Sequence, residues 1–495
     1  MYKAAPSPPL RRIVIVGGGS AGWMAAAALS RAVPGDTRLE LIETNPGQDS
    51  GILTPFDSTL PSLRAFNHSL GLNEDALIAA TGATIKLGTQ FSQWTRKGVS
   101  YVHPFSDFGA VMEGVAFHHC WLKLRQAGQV EPLESFALAA VAANLGRFDR
   151  PSDDPRSVTS TMSYGLHLNA EAYTAVLRSI AERAGVQGVS GSLAAVITDA
   201  ERTRVTGVTL SDGRLVEGDL FIDCTGTAAS VISALGSTWE SWSEHLPCNR
   251  VRWSLDPAQA VPCLLTEIEA QRAGWLQTVP LRTATGVAVF DAVAPGEPAP
   301  QGGNERLFEN GRRTPWIGNC IAIGLSATCL EPLEGTGLHL LQSAVTKLLA
   351  LFPTPGGMAV SAREYNRLIQ AEAERLRDFL IAHYKLNRRS GQSFWDARAA
   401  AEPPAELAWK LLQFESRGRI PMGDEETFEE ASWLAVFMGQ HLQPRRYHPL
   451  ADKFSLVDTR DRLDRTRAVM RQAAEAMPTH RDYLASRAPT RHSLL

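Results

Sequence analysis

The chain has 495 residues, of which 44% are hydrophobic and 20% are charged, and its formal net charge is -3 at pH 7. This length predicts two or three lobes around a large core, and the small net charge argues against nucleic acid or an anionic membrane as a partner. No run of about 18 apolar residues predicts a membrane span. The segment from Met1 to Leu10 lacks a signal-peptide core, and the six cysteines show no C-x-x-C spacing, so a cytoplasmic protein with reduced thiols is expected.

A dinucleotide-binding fingerprint opens the chain. The β-branched run 12–16 predicts a buried strand, a G-x-G-x-x-G turn follows it, and an alanine-rich helix comes next. A second predicted strand ends at Glu43, about 20 residues beyond the last glycine, where an acid can bind ribose hydroxyls. The residues predicted to approach a pyrophosphate are Gly17, Gly19, Ser20, Ala21 and Gly22.

Two segments further on are predicted to border the ligand crevice. Residues 45–61 are rich in Gly, Pro, Ser and Asp, and loops at the carboxyl ends of parallel strands line such crevices. Residues 84–91 alternate polar and apolar side chains, which predicts one half-buried strand with Lys86 on its polar face. Without further context, a lysine there is usually only solvated.

The remaining elements predict a discontinuous nucleotide-binding module. Residues 171–185 predict an amphipathic helix, and buried strands are predicted within 220–226 and 319–324. The module within 1–355 would use pieces at about 10–80, 160–235 and 310–355, with substrate-facing inserts between them. Residues 356–495 are predicted to be mainly helical and to complete the substrate pocket, with a tail that frays after Pro478.

The most informative stretch is Glu331-Pro332-Leu333-Glu334-Gly335-Thr336-Gly337. It places an acid beside a glycine turn, and the apolar run after it predicts a helix. A helix N-terminus offers unpaired N–H groups to an anion. Glu334 could simply favour the helix dipole, but a carboxylate next to an anion site points to chemistry.

These patterns together resemble the flavoprotein monooxygenase architecture and, within it, the flavin-dependent halogenase family that includes the tryptophan halogenases. The resemblance rests on Trp23 after the glycine turn and on residues 323–326 followed by 331–337. It rests also on residues 101–105, 378–379 with 383–384, and 394–395. The ordered set runs from residue 12 to about residue 450. An α/β fold is therefore expected, with an FAD-binding Rossmann-type domain, a substrate layer and a mainly helical C-terminal region.

The resemblance implies a specific reaction. FADH2 supplied by a separate NADH-dependent flavin reductase, together with O2, would oxidise chloride or bromide to hypohalous acid. A lysine would pass the halogen to an electron-rich, indole-type aromatic. By position, Lys86 matches that lysine and Glu334 the acid beside the substrate. The other matches are Thr336 and Gly337 for halide, Gly324 and Leu325 for flavin, and His103 and Phe105 for the substrate pocket.

The chemistry of these residues suits the implied roles. A buried lysine can hydrogen-bond hypohalous acid as an ammonium, or form a haloamine when neutral. Aromatic substitution leaves a cationic ring that must lose a proton, and Glu334 could stabilise that charge and accept the proton.

Three departures from the family pattern leave the substrate open. Gln277 replaces the second tryptophan of a W-x-W-x-I-P element at 275–280, and Gly335 stands where tryptophan halogenases tend to have serine. Residues 56–61 replace Gly-Glu-Ala-Thr-Ile-Pro. Free tryptophan is therefore not assumed, and another indole, a phenol or a larger aromatic is an equal candidate.

Two other functions stay open on the sequence. Gln277 could permit a flavin monooxygenase for which Lys86 is dispensable, and the accumulated departures could mark a non-catalytic flavin-binding protein. No metal site is predicted, because His118, His119 and Cys120 lack further ligands. The sequence leaves open the position halogenated, the choice of halide and the oligomeric state, a homodimer being one option.

Overall fold

The computed structural model describes residues 10–44, 51–128, 130–293 and 304–487, and its centre is a six-stranded sheet. All neighbouring strands are parallel except the pair at one edge, Trp316–Ile317 with Cys320–Ala322. In spatial order the strands are Trp316–Ile317, Cys320–Ala322, Leu220–Asp223, Arg12–Val16, Arg38–Glu43 and Gln187–Ser190.

The first strand explains why this sheet is buried on both faces. Successive side chains of a strand point to opposite faces. Ile13 and Ile15 join the main hydrophobic core, whereas Val14 and Val16 join a separate apolar cluster, and all four are fully buried. The helices that pack together beside the main core are Ser20–Ala32, Ala170–Arg183 and Gly337–Ala350. The small antiparallel sheet at the second cluster consists of Leu193–Thr198, Val205–Leu210 and Leu215–Glu217.

A seven-stranded sheet forms the second layer. Its neighbouring strands are antiparallel except for Leu265–Gln271 with Gly88–Ser92. In spatial order they are Glu305–Leu307, Arg250–Pro257, Ala284–Asp291, Gly274–Pro280, Leu265–Gln271, Gly88–Ser92 and Ser100–Pro104. Two further three-stranded sheets are Phe56–Ser58, Gly165–Asn169, Thr84–Lys86 and Trp239–Ser241, Gly311–Arg313, Thr328–Cys329.

The single strand predicted at 84–91 is wrong, because the chain changes sheet in the middle. Thr84–Lys86 pairs with Gly165–Asn169, and Gly88–Ser92 belongs to the seven-stranded sheet. Between them the Leu87 amide donates to Leu264 O at 2.7 Å. The predicted polar face is also wrong, since Lys86 is fully buried between the two sheets.

The C-terminal region is mainly helical, as predicted. Its helices are Met358–Lys385, Ser393–Ala400, Ala405–Arg417, Glu430–Gly439, Leu456–Ala476 and His480–Ala485. Further α-helices of the chain are Ser62–Ser69, Glu74–Thr81, Phe117–Gln126 and Leu138–Asn144. The division into three nucleotide-binding pieces stays a prediction. Among the described residues, no helix is long and apolar enough to cross a membrane.

The last described helix anchors the strand that carries Lys86, so the prediction that the chain frays after Pro478 is wrong for the described residues. The amide of Ile85 donates to His480 Nε2 at 3.3 Å across 395 residues of sequence. The other ring nitrogen of His480 lies 3.0 Å from Pro262 O, to which it donates. One buried imidazole therefore joins a strand of the small sheet to the loop at 262.

Buried Asn310 joins three chain segments near the acid-rich turn. Its Nδ2 donates to Leu246 O at 3.0 Å and to Cys248 O at 2.8 Å, and its Oδ1 accepts from the Glu331 amide at 2.7 Å. An alanine there would leave buried backbone groups without partners, and each such group costs about 1–3 kcal/mol.

We expect Asn310→Ala to lower the free energy of unfolding by about 3 kcal/mol or more in urea denaturation. The exposed helix cap Asn73, whose side chain accepts from the Ala76 amide, supplies the control. Asn73→Ala should cost only about 1 kcal/mol. Equal losses for the two variants would contradict the structural role of Asn310.

Candidate active site

The glycine turn gives the first helix an N-terminus without a side-chain cap. Gly17 has φ of +117°, and a Cβ there would lie 2.1 Å from Cys224 O, so only glycine fits between the two strands. The helix begins at Ser20, and Gly19 before it carries no capping side chain. This cradle fits the pyrophosphate of FAD, because backbone N–H groups and the helix dipole both favour an anion.

Glu43 lies beside this turn, as its position at the end of the second strand predicts. A Cβ on Gly18 would come within 2.8 Å of Glu43 Cγ, so the two segments are in contact. Glu43 Oε1 also lies 2.9 Å from the guanidinium of Arg178, whose charged group stacks 5.0 Å from the Trp23 ring centroid. Sequence reasoning missed Arg178, which has no motif of its own.

Two cavities extend from the turn and share Leu325 as a wall. One, of about 380 Å³, is lined by Thr44, Thr225, Gly226, Arg306 and Leu325 among others. The second is a narrow crevice bordered by Gly51, Gly324, Leu325, Pro332 and Gly337 among others. Gly324 and Leu325 thus lie where the sequence predicts them, and the small residues would hold the nucleotide and flavin parts of FAD.

The helix Gly337–Ala350 begins at the floor of this crevice. The Asp57 carboxylate accepts the Leu338 amide at 2.8 Å and the Ser58 amide at 2.7 Å, so part of the helix N-terminus is capped from within the protein. Thr336 Oγ1 is buried without a hydrogen-bond partner among the described residues, and Gly337 lines the crevice. Burial raises the pKa of Asp57, against the lowering effect of these amides and of Lys86.

Lys86 is fully buried beside the same dipeptide. Its Nζ donates to Ser58 O at 3.1 Å and to Ser58 Oγ at 3.4 Å, and it lies 5.0 Å from the Phe105 ring centroid. Burial lowers the pKa of Lys86 to about 8, while the charges of Glu334 and Asp57 act in the opposite direction. The ammonium form therefore prevails at pH 7.

Glu334 is also fully buried and is flanked by two histidines. His103 Nδ1 lies 2.9 Å from Glu334 Oε1, and His383 Nε2 lies 3.2 Å from the same oxygen at an angle too bent for a straight hydrogen bond. Burial alone would raise the pKa of Glu334, but the two histidines outweigh it and hold the pKa well below the ordinary value. Glu334 is therefore a carboxylate at neutral pH.

Glu331, three residues earlier, belongs to a separate buried network. Its Oε2 accepts from Trp275 Nε1 at 3.0 Å and from the Tyr384 hydroxyl at 2.9 Å. Burial raises the pKa of Glu331 to about 7. Gln277, which replaces the second tryptophan, is buried and donates to Pro332 O at 3.4 Å, so it contacts the backbone next to Glu331.

An aromatic pocket lies on the other side of Phe105. This cavity of about 310 Å³ is lined by Phe105 and Phe428 among others. Both rings also contact His103, with centroids 6.0 and 5.7 Å away, so the pocket adjoins the residues that hold Glu334. The structure thus brings together Lys86, His103, Phe105 and Glu334, and it adds Phe428, Asp57 and Ser58.

Gly335 fits this arrangement only as glycine. Its φ is +74°, and a Cβ there would lie 1.6 Å from Ser58 O. The absence of a side chain at 335 therefore lets the 56–58 strand approach the turn closely. The altered residues of the two segments, which the sequence shows as separate departures, are in direct contact.

Comparisons with known proteins match this arrangement of a flavin-type crevice beside a buried lysine and carboxylate. Residues 12–455 match the family described as tryptophan halogenase. BrvH, a flavin-dependent halogenase from Brevundimonas sp. BAL3, is 35% identical with a TM-score of 0.90, over 97% of this chain and 99% of that chain. Xcc4156, a flavin-dependent halogenase from Xanthomonas campestris, is 32% identical with a TM-score of 0.90, over 98% and 100%. The tryptophan 6-halogenase ThaL of Streptomyces albogriseolus is 27% identical over 492 residues, 89% of this chain and 91% of ThaL.

The fold and these relatives define a flavin-dependent oxidoreductase. The chain belongs to the tryptophan halogenase family, and the resemblance found in the sequence is confirmed. The predicted α/β fold is confirmed with it. The roles of individual site residues stay predictions.

Gly335→Ser tests the close contact between the two altered segments. We expect the added side chain to displace Ser58 and the Lys86 ammonium that it holds, and to lower halogenation by at least about tenfold, since a misplaced group near the chemistry can cost 100-fold. Gly236→Ser is the matched control, because Gly236 has φ of +79° but nothing within 4 Å of an added Cβ. Full activity in Gly335→Ser would contradict the predicted displacement.

Proposed function

We propose that the protein is an FADH2- and O2-dependent halogenase that forms hypohalous acid from chloride or bromide and halogenates an electron-rich, indole-type aromatic. The observation that carries the proposal is the meeting of two fully buried charges, Lys86 and Glu334, between the flavin-type crevice and the aromatic pocket. Buried charges of opposite sign with shifted pKa values cluster at catalytic sites.

FAD would be held by the glycine turn, Glu43, Gly324 and Leu325. Bound as FADH2, and supplied by a separate NADH-dependent reductase, it provides with O2 the two-electron oxidation of halide. The backbone of Thr336 and Gly337 would hold the halide at the helix N-terminus. Because Asp57 already caps Leu338, the position left for halide is confined to the first residues of the turn.

Lys86 would orient hypohalous acid toward the ring. A π electron pair of the aromatic carbon forms the new carbon–halogen bond, the oxygen–halogen bond breaks, and the departing hydroxide takes a proton from the ammonium to become water. A haloamine formed by neutral Lys86 is the second route. Since the ammonium prevails at pH 7, hydrogen bonding to hypohalous acid is the favoured one.

Glu334 would complete the substitution. The cationic ring must lose the proton on the halogenated carbon, whose C–H electron pair restores aromaticity. Glu334 Oε2 is buried without a hydrogen-bond partner among the described residues, whereas Oε1 contacts His103 and His383. The unpartnered oxygen is therefore the acceptor for that proton, and the negative charge stabilises the cation before transfer.

The central test is a product assay by mass spectrometry with FAD, a flavin reductase, NADH and bromide on a panel of indoles and phenols. We expect Lys86→Ala and Glu334→Gln each to lower halogenation by at least about 100-fold. Lys385→Ala serves as the control, because Lys385 donates only to the carbonyls of Ala399 and Ala401.

The same assay separates the monooxygenase alternative that Gln277 motivates. Oxygenated product in halide-free buffer, formed equally by wild type and Lys86→Ala, would replace the halogenase proposal. Failure of the purified protein to bind FAD would exclude both reactions together.

The charge of the pocket sets an expectation for the substrate. Asp107 and Glu429 lie on its lining, whereas no lysine or arginine is found among the described lining residues. The lining histidine, His339, is already paired with Glu372 at 3.1 Å. A neutral or amine-bearing aromatic therefore fits this pocket better than an aromatic carboxylate.

We expect indoles that carry an amine to be halogenated with a kcat/KM about five- to tenfold higher than indoles that carry only a carboxylate, which matches roughly 1 kcal/mol per exposed charge pair. Competition between the two in one reaction, read by mass spectrometry, measures the ratio. The double variant Asp107→Asn with Glu429→Gln should abolish it. A preference for the carboxylate in wild type would show that another surface binds the substrate.

A further inference from the structure

A tyrosine and a histidine behind Glu334 form a buried chain that the proposed reaction does not use. Tyr101, on the strand Ser100–Pro104, places its hydroxyl 3.0 Å from His383 Nδ1. The opposite ring nitrogen of His383, Nε2, lies 3.2 Å from Glu334 Oε1. Tyrosine, imidazole and carboxylate thus follow one another without access to solvent, since His383 and Glu334 are fully buried and Tyr101 is 3% exposed.

The surroundings of His383 keep its ring neutral. Its imidazole lies 4.6 Å from the Phe91 ring centroid, and Trp94 and Phe379 approach it edge-on at 6.2 and 5.3 Å. Burial lowers the pKa of His383, although Glu334 acts in the opposite direction. A neutral imidazole has a single N–H, so only one of its two neighbours can receive a proton from the ring.

Tyr101 decides which nitrogen carries that proton. Burial raises the pKa of the Tyr101 hydroxyl well above its ordinary value, so the hydroxyl stays protonated. If the hydroxyl donates to Nδ1, the ring proton must be on Nε2 and faces Glu334. In the other tautomer a lone pair of Nε2 would face a carboxylate oxygen 3.2 Å away, which is repulsive unless Glu334 is protonated.

We propose that Tyr101 is a positioning residue that fixes the Nε2–H tautomer of His383 and thereby keeps Glu334 ionised, with Oε1 occupied and Oε2 presented to the reaction. The catalytic consequence rests on the proposed function of Glu334 as the proton acceptor. The tautomer itself is a property of the protein and does not depend on that function.

The ionisation of Glu334 would respond to this lock in a defined direction. The groups that face Glu334 are His103 from the strand Ser100–Pro104, His383 from the helix Met358–Lys385, and Lys86 from the strand Thr84–Lys86. Only His383 contacts Tyr101. Without the hydroxyl, the Nε2 lone-pair tautomer becomes accessible and favours protonated Glu334. The pKa of Glu334 then rises, and ionised Glu334 is lost at a higher pH than in wild type.

Tyr101→Phe tests the lock with two readouts. In protein with 15N-labelled histidine, the His383 ring signals are identified by their loss in His383→Gln. We expect Nε2 to carry the proton in wild type and the proton to be shared between the nitrogens in Tyr101→Phe. In the halogenation assay, kcat should fall about five- to tenfold with KM for the aromatic unchanged, as the loss of one hydrogen bond predicts. The acid limb of the kcat profile should move to higher pH.

A double-mutant cycle separates the lock from general damage. His383→Gln keeps an N–H donor near the Nε2 position but has no tautomers. We therefore expect Tyr101→Phe to have no further effect on kcat or on the acid limb in the His383→Gln background. Tyr173→Phe is the matched control, because it removes an equally buried hydroxyl that donates to Asn67 Oδ1 at 2.6 Å, far along the chain from Glu334.

The outcomes assign failure to different statements. An Nε2 proton that is unaffected by Tyr101→Phe, or an equal loss of kcat in both backgrounds, overturns the tautomer lock. A tautomer that changes as expected, together with full activity of Glu334→Gln, would leave the lock standing and overturn the proposed role of Glu334. An acid limb that moves equally in Tyr173→Phe would show that the shift reports stability and not the lock.

Discussion

The charge of the buried Glu334 carboxylate is the constraint on which the rest of the site depends. Removing an ion from water costs several kcal/mol even after the protein relaxes, and donors must repay that cost. Here the donors come from two distant elements, since His103 lies 231 residues before Glu334 and His383 lies on the long C-terminal helix. The sheet and the helical region therefore have to close on each other for this carboxylate to exist, which makes the site a product of the whole fold.

The dipeptide Asp57–Ser58 is the second joint, and it connects the two sides of the reaction. Asp57 caps the helix that begins at Gly337, on the crevice side, while Ser58 accepts the Lys86 ammonium on the pocket side. A shift of this short strand would therefore reach the halide position and the lysine at once. The close approach to Gly335 removes the space in which the strand could move independently of the turn.

Local motifs made the nucleotide-binding half of the protein predictable, since strand, glycine turn, helix and terminal acid are adjacent in sequence. Lys86 and Glu334 were reachable only through resemblance to a family, because their neighbours in space are remote in the chain. Periodicity suggested a half-solvated face for Lys86, and the change of sheet at Leu87 overrides it. Asp57 and Arg178 had no distinguishing pattern, and the Tyr101–His383 contact spans 282 residues, so pairings of this kind cannot be read from spacing.

The hydrogen bond between the Ile85 amide and His480 also constrains how the protein is made. A ribosome delivers residue 85 long before residue 480, so the strand that carries the lysine cannot be held by this imidazole until nearly all of the chain has been synthesised. The nucleotide-binding turn has its partners much earlier. A nascent chain could thus acquire a cofactor cradle while its reactive centre is still unassembled, and a product shortened before the final helix would retain the first without the second.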